Sequence, residues 1–245
     1  MVKPLARWTF GMASNLGLEI LVHSVRRFRV IYPEFDCIIC YNNTKPTQYE
    51  KLLRLNVPLY QQSGNELEYP LEPPTSPPGW KGMWPYLGVK LCPPRLNPEG
   101  HELWIDNDLV VRRRAPTVDR WLSSDKCLIA QGHGRRYDHF EPYIPQETVC
   151  SGGFFGVPPN FDLKARLLHE CRTVLGGKPV AYYDEQGLVT KVMTESPHFL
   201  APITEVLIVK SLPDKPLPPA LHFIGANRIE QDDNWLRYKA YSSYL

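Results

Sequence analysis

Asp106 and Asp108 stand one residue apart in an apolar run, Leu103-Trp104-Ile105-Asp106-Asn107-Asp108-Leu109-Val110-Val111. Two carboxylates near the end of a buried strand repel each other and lose hydration unless a cation neutralises them. Hard oxygen ligands of this kind suit Mg²⁺ or Mn²⁺, ions that also bind phosphate oxygens. The competing reading is a strand-end turn whose aspartates cap backbone amides. The pattern favours a metal site. Other chemistry-bearing residues follow it: Arg112, Arg113 and Arg114 directly, then His133, Arg135 and Arg136 in a loop, Asp184-Glu185-Gln186, and His222. A run of arginines reads first as a solvated face.

A second candidate is the C-x-x-C of Cys37 and Cys40, which invites a redox or zinc reading. It lies inside the apolar run Phe35 to Tyr41, and no second Cys/His pair follows at ligand spacing. Buried thiols are the expectation.

The elements that must position these residues alternate. Leu5 to Phe10 reads as a strand, and Asn15 to Arg29 as a helix with Leu18, Leu21, Val22, Val25 and Phe28 at helical spacing. Phe35 to Tyr41 is a second strand, Thr47 to Leu55 a second helix and Val57 to Gln61 a third strand. This rhythm predicts an α/β fold, a single mostly parallel sheet with helices on its faces. The proline-rich stretch Leu71 to Gly79 predicts an exposed loop, and Lys81 to Leu91 a helix. Later, Val149 to Val157 reads as a strand with a glycine pair. Asp162 and Asp184 each start a helix, and Leu221 to Ile224 is a short strand.

The chain has 245 residues, 43% of them apolar, which suits one α/β domain over residues 1–245. A net charge of +2 argues against a nucleic-acid partner. Six cysteines read as reduced predict the cytoplasm. The sequence shows no signal peptide and no apolar run of membrane-spanning length, so membrane contact is expected to be peripheral.

Leu103 to Val111 resembles the D-x-D strand of GT-A fold glycosyltransferases, especially family 8, the group of glycogenin and bacterial galactosyltransferases. The resemblance extends in order along the chain. Lys90 falls where that group carries a basic residue near the donor. Cys150-Ser151-Gly152-Gly153-Phe154-Phe155-Gly156 resembles its small-residue strand beside the donor sugar. Asp184-Glu185-Gln186 resembles its acidic helix start, and His222-Phe223-Ile224-Gly225-Ala226-Asn227-Arg228 its late H-F-x-G-x-x-K element.

The resemblance implies a GT-A fold and a hexosyltransferase that moves sugar from a nucleotide-diphosphate donor, a UDP-sugar, to a glycan or glycoconjugate hydroxyl with retention of configuration. Asp106, Asp108 and His222 would hold Mn²⁺ or Mg²⁺. Phe10, Met12, Lys90, Asn107, Gly152, Gly153, Gly225 and Arg228 would face the nucleotide-sugar. Asp184, Glu185 and Gln186 would grip donor or acceptor hydroxyls. Each has a plainer alternative: His222 as a core-edge histidine, Gly152 and Gly153 as a bulge, Gly225 as a turn residue, Arg228 as a surface charge and Asp184 as an N-cap.

The sequence departs from the family pattern in three places. No Tyr follows the first strand to stack on a base, Asp-Glu-Gln stands for Asp-Gln-Asp, and Arg228-Ile229 ends the late element where the family has Lys-Pro-Trp. Two rival readings remain. Asp106-Asn107-Asp108-Leu109-Val110 also fits the D-x-D-x-[TV] string of haloacid-dehalogenase phosphatases, although that motif normally opens its domain. A non-catalytic sugar-binding module on the same fold is the other.

Overall fold

The computed structural model describes residues 2–11, 15–42, 44–62, 93–176, 180–181, 183–209, 216–224 and 238–240. The proline-rich stretch and the helix expected at Lys81 to Leu91 lie outside the described residues.

The opening alternation forms as expected: β1 (Leu5–Gly11), α1 (Asn15–Ile31), β2 (Asp36–Asn42), α2 (Pro46–Leu53) and β3 (Leu59–Gln61). Helix α1 stops just short of Tyr32, the residue before Pro33, where the proline ring disfavours helical backbone. After them come β4 (Glu102–Ile105), β5 (Leu109–Val111), α3 (Pro116–Trp121), β6 (Cys127–Gln131), a 3₁₀ turn (Asp138–Tyr143), β7 (Cys150–Val157), α4 (Leu163–Glu170), α5 (Asp184–Thr194), β8 (His198–Ala201), β9 (Val206–Ile208) and β10 (Ala220–His222). The α3, β6, β8 and β9 segments carried no clear period in the sequence.

Seven strands form a mixed sheet in the order β3-β2-β1-β4-β7-β6-β8. β1 pairs in parallel with both β2 and β4, while β7 runs antiparallel to β4 and to β6. The apolar run around the aspartates, expected as one strand, is divided. Backbone pairing ends at Ile105, a turn is closed by Leu109 N–H donating to the Asp106 carbonyl (3.1 Å), and β5 leaves the large sheet. There it joins a second, three-stranded sheet, β5-β10-β9, in which His222 lies opposite Leu109. The strand-end turn and the metal candidate are thus the same residues.

α1 lays Leu18, Leu21, Val25 and Phe28 over Ala6, Trp8, Phe10, Cys37 and Ile39 in the main core. Burying each large apolar side chain is worth about 1.5–3 kcal/mol. A polar pin crosses this core: Trp8 Nε1 donates to Ser24 Oγ (2.9 Å), which donates to the Leu109 carbonyl (2.5 Å). α1, β1 and the first residue after the aspartates are fixed to one another by it. A second core, with Phe155, Val157, Leu167, Leu188 and Val192, lies between β6, β7, α4 and α5.

Cys37 and Cys40 are buried, as are Cys127, Cys150 and Cys171. Burial raises the Cys37, Cys127 and Cys150 thiols to about 12.

Candidate metal and donor site

Asp106 follows β4, Asp108 precedes β5 and His222 ends β10. Their ligand atoms lie within 4.8 Å of one another. His222 Nε2 is 3.0 Å from Asp108 Oδ1 and 3.6 Å from Asp106 Oδ2. Two backbone bonds fix this convergence: Phe223 N–H donates to the Asp108 carbonyl (2.9 Å), and Asp106 N–H to the Gly153 carbonyl (2.8 Å). Asn107, Asp108 and His222 are buried, whereas Asp106 is partly open.

Gly153 shows that the cluster needs space. A Cβ built there would stand 2.3 Å from His222 Cε1 and 2.8 Å from Asp106 Oδ2. Only glycine admits both side chains at this point of β7. The plainer expectation for the glycine pair is also met, because the β6–β7 register jumps opposite this segment: Ile129 faces Phe155, but Ala130 faces Ser151. A bulge frees the backbone, and the missing side chain makes the room. Two carboxylates and one imidazole form a donor set of the kind that holds a divalent ion, and the cradle at Gly153 fits it.

Beside Gly152 lies the start of α5. A Cβ on Gly152 would meet Gln186 Cα at 3.6 Å and Glu185 Oε1 at 3.7 Å, ordinary contact distances. Glu185 and Gln186 therefore border the same bulge as the metal cluster. Gln186 Nε2 also donates to the Arg136 carbonyl (3.2 Å).

Asp184 has a different part from either one expected of it. Tyr183, not Asp184, occupies the N-cap position, and the Asp184 carboxylate is fully buried. It accepts from His139 N–H (2.9 Å), Ala181 N–H (2.6 Å) and His139 Nδ1 (2.9 Å). Nδ1 is the ring nitrogen of His139 that faces the carboxylate. Asp184 thus clamps the 3₁₀ turn against α5, and His139, which no sequence signal singled out, is held with its ring one-third exposed.

One other expectation changes. Phe10 is fully buried in the α1 core, so its ring offers no face to a nucleotide base. Arg113 and Arg114 are exposed, as a solvated face requires, and Arg112 is half-buried; Arg112 and Arg113 donate to carbonyls at Leu217 and Pro218, and Arg114 pairs with Glu34 and Asp119. Arg135 binds Glu141 and the carbonyls of Pro145, Thr148 and Ile144. Met12, Lys90, Gly225 and Arg228 lie outside the described residues.

No family model and no curated protein matches the sequence. Solved structures do match the fold. The galactosyltransferase LgtC, solved with donor and acceptor sugar analogues, is 11% identical over 98% of this chain and 96% of its own, with a TM-score of 0.63. Mouse xyloside xylosyltransferase 1 is 11% identical over 93% of this chain and 100% of its own (TM-score 0.59). The glycosyltransferase GlyE of Streptococcus pneumoniae is 10% identical over 100% of this chain and 64% of its own (TM-score 0.56). The chain has the GT-A, nucleotide-diphospho-sugar transferase fold. Among the described residues, no helix is long and apolar enough to cross a membrane.

Proposed function

We propose that the chain is a metal-dependent glycosyltransferase that moves a hexose from a nucleotide-diphosphate donor, a UDP-sugar, to a hydroxyl of a glycan or glycoconjugate. The observation that carries this reading is the convergence of Asp106, Asp108 and His222 over the side-chain-free Gly153. It lies at the carboxyl end of a strand in an α/β sheet, the end at which such sheets take ligands. The fold shared with sugar transferases supports it.

In this reading Asp106, Asp108 and His222 hold Mn²⁺ or Mg²⁺. The bound ion supplies Lewis acidity to the departing diphosphate. The imidazole in the donor set favours Mn²⁺, the softer of the two. Asn107, Gly152 and Gly153 border the donor sugar, and Glu185 and Gln186 position its hydroxyls or those of the acceptor. Asp184 and His139 hold that helix start in place. Lys90, Gly225 and Arg228 contact the diphosphate, and Met12 borders the base. Transfer proceeds with retention: the acceptor oxygen approaches from the side the diphosphate leaves and gives its proton to the departing phosphate oxygen. Residues 1–245 act as one domain, in the cytoplasm or at a membrane surface.

Isothermal titration with UDP, GDP, ADP and CDP tests this, with Mn²⁺ and then with EDTA, on wild type, Asp106→Ala and His222→Ala. The expected result is metal-dependent binding of one nucleotide, abolished in both variants. Donor sugars on that base are then screened for hydrolysis. A wild-type protein that binds none of the four with metal present overturns the reading.

A further inference from the structure

Gln62 is 2% exposed, and among the described residues neither the oxygen nor the nitrogen of its carboxamide has a hydrogen-bond partner. Buried amides are nearly always satisfied, because leaving one unmatched costs free energy. Its place in the sheet gives the exception a meaning. Gln62 directly follows β3, and its N–H donates to the Tyr41 carbonyl (2.9 Å), which extends the β2–β3 register to place it opposite Asn42. Asn42 pairs with Gly11, the last residue of β1. On β1's other side, Trp8 pairs with Ile105, so Asp106 continues that register opposite Thr9.

Alternation assigns faces. Ala6, Trp8, Phe10, Cys37, Ile39 and Leu59 point towards α1. Thr9, Gly11, Asn42, Gln62 and Asp106 therefore belong to the opposite face. Gln62 and the metal cluster thus share one face and one end of the sheet, three strand spacings (about 14 Å) apart across it and two residues (about 7 Å) along it. That separation is of the order a nucleoside diphosphate spans from its base edge to its terminal phosphate. Between them Gly11 contributes no side chain to the face.

We propose that the Gln62 carboxamide reads the base of the nucleoside diphosphate. The inference rests on the donor-site reading above and adds the group that makes the site selective among bases. An amide presents an acceptor beside two donors, which matches a base edge carrying a donor next to an acceptor. Pairing with the base satisfies both polar atoms of the amide at once.

The test compares two ligands, each with Mn²⁺: the preferred nucleoside diphosphate and its abasic analogue, ribose 5-diphosphate. The protein is wild type or Gln62→Met, a change close in volume that removes both polar atoms. Wild type is expected to bind the nucleotide more tightly than the abasic analogue. In Gln62→Met the nucleotide weakens about 10- to 100-fold, the abasic analogue is unchanged, and the ligand-free Tm stays level or rises. An unchanged nucleotide affinity, or an equal loss for both ligands with a lowered Tm, overturns the proposal. If wild type binds the two ligands equally, the donor site stands and base reading by Gln62 falls. If it binds neither, both readings fall.

Should Gln62→Met not fold, the assigned side-chain amide ¹⁵N–¹H signal of Gln62 in the wild type decides. It is expected to shift with the nucleotide and stay in place with the abasic analogue. The same response to both overturns the proposal.

Discussion

Glu102 opens β4 and Asp106 follows its last residue, so one strand holds an acid at each end, and on the same face. Their surroundings differ. Glu102 is fully buried and accepts from Arg7 Nη1 (3.0 Å), Arg95 Nε (3.1 Å) and the backbone amides of Leu96 (3.0 Å) and Asn97 (3.0 Å). Arg95 in turn donates to the carbonyls of Asn97, Gly100, Pro158 and Phe161. Arg7 lies over the Trp104 ring at 5.2 Å. At this end guanidinium charge and backbone donors satisfy one carboxylate. At the other end two carboxylates converge on an imidazole around a missing side chain. The first arrangement resembles a fastener for the loop at 94–100; the second is shaped to take a cation. Acids on one strand differ in role because of what the fold brings opposite them.

The comparison is broken most severely at the metal end. Asp108→Ala and His222→Ala are each expected to lower transfer by about 10³-fold or more, with an unchanged circular dichroism spectrum. Steady-state rates with the donor found by the screen measure it, and activity near wild type would remove these residues from the site.

At the Glu102 end the loss is of stability. Glu102→Ala leaves the buried Arg7 without its carboxylate and is expected to cost ~3–5 kcal/mol in urea unfolding. Metal affinity of the remaining folded protein stays at the wild-type value. A change in metal affinity would show that the two ends are coupled.

Gly153→Ala sharpens the point, because it alters no ligand. The added methyl meets His222 and Asp106 side chains, so metal affinity falls by about 10- to 100-fold while the fold persists. Gly152→Ala is the control, since its neighbours lie at ordinary contact distances. Asp184→Asn replaces one acceptor oxygen by a donor facing the donors of His139 and Ala181, and is expected to cost about 1–3 kcal/mol in stability.

The smallest effect is an absence of reaction. Burial holds the Cys37, Cys127 and Cys150 thiols protonated up to about 12, so none is alkylated by iodoacetamide at pH 8 in the native protein. The sign for stability follows from the same shift. Above the ordinary thiol value of 9.0 the unfolded chain releases these protons and the folded one keeps them, so stability falls as pH rises further. Urea midpoints between pH 8 and 10 read this out.

Much of the architecture was legible because it is local. The 3.6-residue period of Leu18, Leu21, Val25 and Phe28 marks α1, and the compact apolar runs mark β1, β2 and β7. The β6, β8 and β9 strands were not legible, being three to five residues long and defined by their neighbours. Asp162 was readable as a cap because its partner, Ala165 N–H, is three residues away. Asp184 was readable as a helix start, but its tie to His139 was not, because that partner is 45 residues away.

The sequence by itself determined which residues carry the chemistry: a pair of acids whose proximity in a buried run is costly without a cation, and glycines at one point of a later strand. Tertiary structure alone decided that the pair sits on a turn between two sheets, and that His222, 114 residues beyond Asp108, reaches it. It also made Gly153 the space that His222 and Asp106 share and left the amide of Gln62 buried without a partner among the described residues. Residue type and spacing act over a few positions, whereas a metal site or a buried orphan is set by distances that only the packed sheets define.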